Sequence, residues 1–140
     1  MSWPLRSDRR ENGMVRREQV EQVNGLAGGR GTATVCHVVS KDELYGHGRM
    51  YARVILPPGA SVGWHQHKHD TEPYYILKGH ADFIDNDHSV TKVDPGDVCV
   101  IRVGQFHSIE NNYDEDVEFM ALIYNEPGYL SDRMKFYDEG

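Results

Sequence analysis

From residue 32 onward the apolar positions fall in short runs rich in β-branched and aromatic residues, each closed by glycine, proline, asparagine or aspartate. Runs of this kind predict strands, and nine are expected, over 32–39, 51–56, 61–65, 72–78, 81–85, 89–93, 98–103, 107–111 and 117–124. Between them Pro57-Pro58-Gly59, Asp85-Asn86-Asp87-His88, Asp94-Pro95-Gly96-Asp97 and Asn111-Asn112-Tyr113-Asp114 are turn sequences. Proline fixes φ there, and glycine or asparagine tolerates positive φ. Many short strands at even spacing predict a β-sandwich or barrel. The last run is almost continuously apolar, as a strand buried on both faces would be.

The flanks lack this pattern. Residues 1–14 are polar, charged and aperiodic, which predicts a disordered or partner-docked arm. The spacing of Val15, Gln19, Val20 and Val23 allows one or two turns of weak helix, ended by the glycines of 25–31. Beyond residue 125 the polarity is mixed again, with Tyr129, Met134, Phe136 and Tyr137 as anchors that could pack over a barrel end or on a second subunit. The expected organisation is therefore an irregular or helical arm over 1–30, one all-β barrel over 31–125 and a tail over 126–140.

Composition narrows the function classes. The 140 residues suit one domain with one core, 39% hydrophobic and 26% charged residues are ordinary globular values, and no apolar run reaches membrane-span length. The start has no secretion-signal pattern, so the expected compartment is the cytoplasm. Cys36 and Cys99 are too few and too far apart for a disulfide framework or a cysteine zinc site, and are expected in the core. A net charge of −7 argues against a nucleic-acid partner; the cluster Arg6, Arg9, Arg10, Arg16 and Arg17 is diluted by Asp8, Glu11 and Glu18 and reads as a solvated tail.

Eight histidines are an excess for this length, and three fall within residues 65–69. His65 and His67, two apart on a strand, place both imidazoles on one face. Glu72 shares strand phase with Tyr74 and Ile76, so it faces the core if Ile76 does. His107, at the start of a later strand, is the fourth candidate. Three imidazoles and a carboxylate suit one divalent transition metal, among them Mn, Fe, Co, Ni or Zn, and an octahedral ion would keep two open positions.

These residues stand at the spacing of the cupin superfamily, which the chain resembles over about residues 47–124. Gly59, His65, His67, Glu72 and Gly79 fit its first motif; Gly96, Gly104, His107 and Asn111 fit the second, where Arg102 replaces a proline. Nine of ten fixed positions match. The resemblance implies a double-stranded β-helix, or jelly-roll barrel, with a metal near its mouth, and commonly a homodimer that exchanges N-terminal strands.

Several further residues carry open alternatives. His69 could continue the His65–His67 face, replace a ligand, act as a mobile acid or base, or simply face solvent in a loop. Arg53 shares parity with Tyr51 and Ile55, so it could reach inward to hold a substrate carboxylate or be a charge on the solvent face. Tyr74 is a third helper candidate. Trp64, Tyr74, Tyr75, Phe83, Phe106 and Phe119 could line a pocket or fill the core, and His37, His47, His80 and His88 are expected at the surface.

The leading functional expectation is a metalloenzyme acting on a small oxygen-rich substrate, such as a short-chain acid, dicarbonyl or sugar acid, chelated at the open metal positions. Within the cupin resemblance, oxalate-decarboxylase-like or dioxygenase-like chemistry is implied. The alternative is a small-ligand or sugar-binding module with a structural metal.

Overall fold

A computed structural model describes residues 13–127. The expectations for the first twelve residues and for Tyr129, Met134, Phe136 and Tyr137 lie outside the described residues. Ten strands follow in order: β1 (Gln19–Asn24), β2 (Thr32–Val39), β3 (Gly48–Leu56), β4 (Ser61–Gln66), β5 (Asp70–Lys78), β6 (Ala81–Ile84), β7 (Val90–Val93), β8 (Val98–Ile101), β9 (Phe106–Glu110) and β10 (Val117–Asn125). They form a six-stranded sheet in the order β1-β2-β3-β10-β5-β8 and a four-stranded sheet in the order β4-β9-β6-β7, with every pairing antiparallel. Each expected strand is present. No helix among the described residues is long and apolar enough to cross a membrane.

The core lies between the inner faces of the two sheets. Val54, Leu56, Ile76, Ile101, Val117, Phe119 and Ala121 meet Val62, Ala81, Phe83, Val93 and Ile109 there. Phe119 is fully buried and packs its ring 4.4 Å from that of Tyr74. Burial of one such side chain is worth about 2–3 kcal/mol. Cys36 and Cys99 are both buried and free, as their spacing suggested.

Two expectations are corrected. The segment containing Val20 and Val23 is not helical: β1 pairs with β2 from Gln19↔His37 to Asn24↔Thr32. A helix this short is marginal on its own, whereas the β2 edge offers a ladder and cross-strand partners, Thr34 Oγ1 donating to Gln22 Oε1 at 3.1 Å. Gly25 and Gly31 return the chain at φ +64° and +68°, in the left-handed region glycine enters freely. The second correction concerns β10. It alternates instead of being buried on both faces: Val117, Phe119, Ala121 and Ile123 point into the core, while Glu118, Met120 and Leu122 are half-buried and Tyr124 is exposed on the outer face.

A close backbone approach locks the first motif to the N-terminal half. The 3₁₀ turn at Leu26–Gly28 lies against β4, where a Cβ on Gly63 would meet Ala27 O at 2.2 Å. Only glycine fits there, two residues before His65.

Candidate metal centre

β4 and β9 are neighbours in the small sheet, and their register makes His65 and His107 direct cross-strand partners. Their ring centroids are 4.5 Å apart. His67 stands just past the end of β4, where its N–H donates to Gln105 O at 3.0 Å and its carbonyl accepts from Gly104 N at 2.5 Å. Glu72 enters from β5 in the opposite sheet, in phase with Tyr74 and Ile76; all three are buried, as the parity argument expected. Two sheets thus deliver four donors to one place.

The donor atoms of His65, His67, Glu72 and His107 all lie within 4.8 Å of one another. His67 Nε2 is 3.1 Å from His107 Nε2 and 3.0 Å from Glu72 Oε1, and His107 Nε2 is 3.5 Å from the same oxygen. Donors bound at about 2.1 Å to one ion are about 3.0 Å apart at right angles and about 3.4 Å apart at tetrahedral angles. The spacing and the nitrogen and oxygen chemistry therefore fit a divalent transition metal, and these four residues could hold one.

Outer contacts orient the rings. His65 Nδ1–H donates to Gly63 O at 2.7 Å and His67 Nδ1–H donates to Asp70 Oδ1 at 2.6 Å, so both rings turn Nε2 toward the cluster. Asp70 also accepts from Arg49 Nε at 2.9 Å. Carboxylate or carbonyl partners behind metal-binding imidazoles fix tautomer and direction in this way. His107 Nδ1 is buried without a hydrogen-bond partner among the described residues.

Electrostatics separate the two buried imidazoles in the metal-free protein. Burial alone would lower His67, but hydrogen bonds to Asp70 and Glu72 outweigh it and raise its pKa to about 9. Burial dominates at His107 and lowers its pKa. Glu72, although burial opposes ionisation, is held below its ordinary value by hydrogen bonds from His107 and His67. An imidazolium at His67 beside an ionised Glu72 and a neutral His107 is the consistent arrangement.

The helper candidates separate clearly. Tyr74 is at the cluster: its ring lies 5.4 Å from that of His107, and burial together with the adjoining Glu72 carboxylate, to which its hydroxyl hydrogen-bonds, raises its pKa well above the usual value. His69 does not continue the face of His65 and His67; the chain bends at 68–69 and His69 is exposed. Arg53 lies on the outer face of the large sheet, because Ala52, Val54 and Leu56 occupy the inward phase of β3. Its guanidinium binds Glu118 Oε1 at 2.6 Å and Glu18 Oε1 at 2.7 Å. The solvent-face alternative for Arg53 is the one realised.

Other motif positions have mechanical roles. Asn111 is fully buried and donates from Nδ2 to Leu56 O at 2.8 Å and Glu115 O at 2.7 Å. At the second motif's variant position, Arg102 N–H donates to Gln105 Oε1 at 2.9 Å, a bond proline could not make, and Gly104 turns the chain at φ +87°. Arginine thus preserves the turn that presents His107. Phe83 is core, whereas Trp64 and Tyr75 are exposed; Trp64 stacks on His88 at 4.3 Å. His37 and His80 pair with Glu21 and Asp94 near the surface.

A cavity of about 210 Å³ reaches the cluster at His107, with Phe83, Ile101 and Phe106 on its apolar side and Asp85, Asn86 and Gln105 on its polar side. Among the described residues its lining holds no arginine or lysine, so an anion in it would depend on a metal for its counter-charge. Asp70, Asn86 and Gln105 lacked a motif signal; only Asp70, three residues after a candidate ligand, could have been singled out from spacing.

Comparison with known proteins agrees with this geometry. Residues 52–123 match the Cupin domain family. An oxalate-binding protein of Thermotoga maritima is 43% identical over 103 residues, which is 74% of this chain and 84% of that protein. A crystal structure from Thermotoga maritima, described as a predicted oxalate decarboxylase, superposes with a TM-score of 0.75 at 39% identity, covering 81% of this chain and all of that one (100%). An uncharacterised Klebsiella pneumoniae protein with a double-stranded β-helix domain gives a TM-score of 0.61 at 19% identity, over 80% of this chain and 88% of that one, which speaks to the fold alone. With its family match, its paired sheets and its clustered histidine and glutamate donors, the chain belongs to the cupin family.

Proposed function

We propose that this cupin holds one divalent transition metal, among Mn, Fe, Ni and Zn, through His65, His67, Glu72 and His107, and captures a small oxygen-rich acid of the oxalate class at the remaining positions of the ion. The observation that carries the proposal is the set of 3.0–3.5 Å separations among Nε2 of His67, Nε2 of His107 and Oε1 of Glu72 in a buried site. The 43% identical relative that is named for oxalate binding supports the ligand class. A metal held there would supply Lewis-acid polarisation of a bound carboxylate. The protein contributes the rest: Asp70 and the Gly63 carbonyl hold the imidazoles in line, Tyr74 steadies Glu72, and Phe83, Ile101 and Phe106 limit the size of the guest.

A second reading, turnover of the captured acid, is favoured by Tyr74, whose O–H stands at the cluster with its proton firmly held. Neither His69 nor Arg53 stands beside it, so capture is the primary reading. The test is calorimetric titration of oxalate into metal-loaded protein, followed by analysis for formate. One metal-dependent equivalent bound by the loaded protein, and lost after chelation and in Glu72→Gln, is expected. Absence of a metal-dependent equivalent would overturn capture; formate accumulating over many turnovers would establish the second reading.

A further inference from the structure

A second cavity of about 330 Å³ is lined among others by Lys41, Arg49, Lys68, His69 and Asp70, the carboxylate that binds His67. None of the four candidate metal ligands lines it. In a chain of net charge −7 its lining, among the described residues, gathers three fixed cations against one carboxylate, and they arrive from three separate segments. Lys41 precedes the short Asp42–Leu44 turn, Arg49 stands on β3, and Lys68 and His69 occupy the bend between β4 and β5.

The single carboxylate does not neutralise these charges. Arg49 spends only its Nε on Asp70 Oδ2, at 2.9 Å, and its side chain is 49% exposed against 9% for Asp70. Among the described residues no hydrogen bond is made by the two terminal nitrogens of Arg49, and no ion pair by Lys41 or Lys68. A planar guanidinium with its terminal nitrogens open matches two oxygens of a carboxylate or phosphate, and flanking ammonium groups add undirected positive charge.

We infer that this cleft is a second site, independent of the metal, for a small oxoanion of the phosphate or carboxylate class, gripped by Arg49, Lys41 and Lys68. It goes beyond the proposed capture at the metal and does not rest on it. Asp70 bridges the two sites, because the same carboxylate binds Arg49 through Oδ2 and His67 through Oδ1. An anion that draws on Arg49 therefore acts on the residue that orients His67.

The test is titration of inorganic phosphate into the metal-free full chain at low ionic strength, where no metal can compete for the anion. One equivalent should bind. The Lys41→Ala/Lys68→Ala double variant, whose exposed side chains leave folding intact by thermal melting, should bind at least about tenfold more weakly, because each lost cation removes direct attraction that salt has not screened. His107→Ala should bind as the parent does. Absence of saturable binding, equal affinity in the double variant, or loss of binding in His107→Ala would each overturn the inference. Absence of the metal-dependent oxalate equivalent would leave this result untouched, so the two proposals fail separately.

Discussion

His67 Nδ1 lies 2.6 Å from Asp70 Oδ1, and that contact decides which nitrogen of His67 faces the cluster. Without it the ring could flip or take the other tautomer. Outer carboxylates of this kind are worth about 10–100-fold in metal affinity when removed. Asp70→Ala should therefore weaken metal binding by that factor in a competition titration with a coloured chelator, while the four donors remain. An unchanged dissociation constant would mean that packing alone orients His67.

The proton on His67 sets a pH dependence. Its folded pKa of about 9 lies above the ordinary 6.5. In the metal-free protein the stabilisation linked to this group is fully present below pH 6.5 and is lost as the pH rises through about 9. Metal binding requires the proton to leave, so affinity should climb by about tenfold per pH unit up to that pKa and then level. Release of one proton per metal bound at pH 7, read by a weakly buffered indicator, checks it. A flat affinity profile between neutrality and the pKa would exclude a protonated His67.

Much of the cluster was legible because it obeys strand periodicity and fixed spacing. Glu72, Tyr74 and Ile76 share the inward phase that parity predicted. Arg53 was ambiguous for the same reason: parity groups it with Tyr51 and Ile55 but does not say which group faces inward, and only the packing of Ala52 and Val54 against the core decides it. β1 was misread because its pairing partner, β2, outweighs a weak local spacing preference, and such long-range competition leaves no trace in a nine-residue window. Asp70 escaped notice because an outer-sphere carboxylate needs only to be near His67, and nearness is a property of the bend at 68–69.

The placement of Arg53 makes a negative prediction. Replacing it with methionine removes the bonds to Glu18 and Glu118 and leaves two half-buried carboxylates without their shared cation. Stability should fall by about 1 kcal/mol in a denaturant titration, while metal content and oxalate affinity stay at parental values. A selective loss of oxalate affinity in this variant would return Arg53 to the binding machinery.

Both thiols should be inert in the folded protein. Burial pushes Cys99 up to about 12, reinforced by Asp97 and Asp85, and burial also raises Cys36. Since the thiolate is the reactive species, a thiol-reactive dye at neutral pH should label neither residue in native protein and both in denaturant. Fast labelling of native Cys99 would show that the cavity it lines opens to reagent.

Gly63→Ala tests how the first motif is anchored. The new methyl group would meet Ala27 O at 2.2 Å and Gly28 C and Gly29 N at 2.8 Å, all backbone atoms that cannot swing aside. Either the 3₁₀ turn lifts from β4 or β4 itself moves, and overpacking of this kind costs about 1–3 kcal/mol. If β4 moves, Gly63 O shifts away from His65 Nδ1 and the ring loses its tether; metal affinity then falls together with the unfolding midpoint. If the turn yields instead, the midpoint drops alone. Thermal melting with metal titration on the same variant distinguishes these, and an unchanged midpoint would contradict the close packing of the turn on β4.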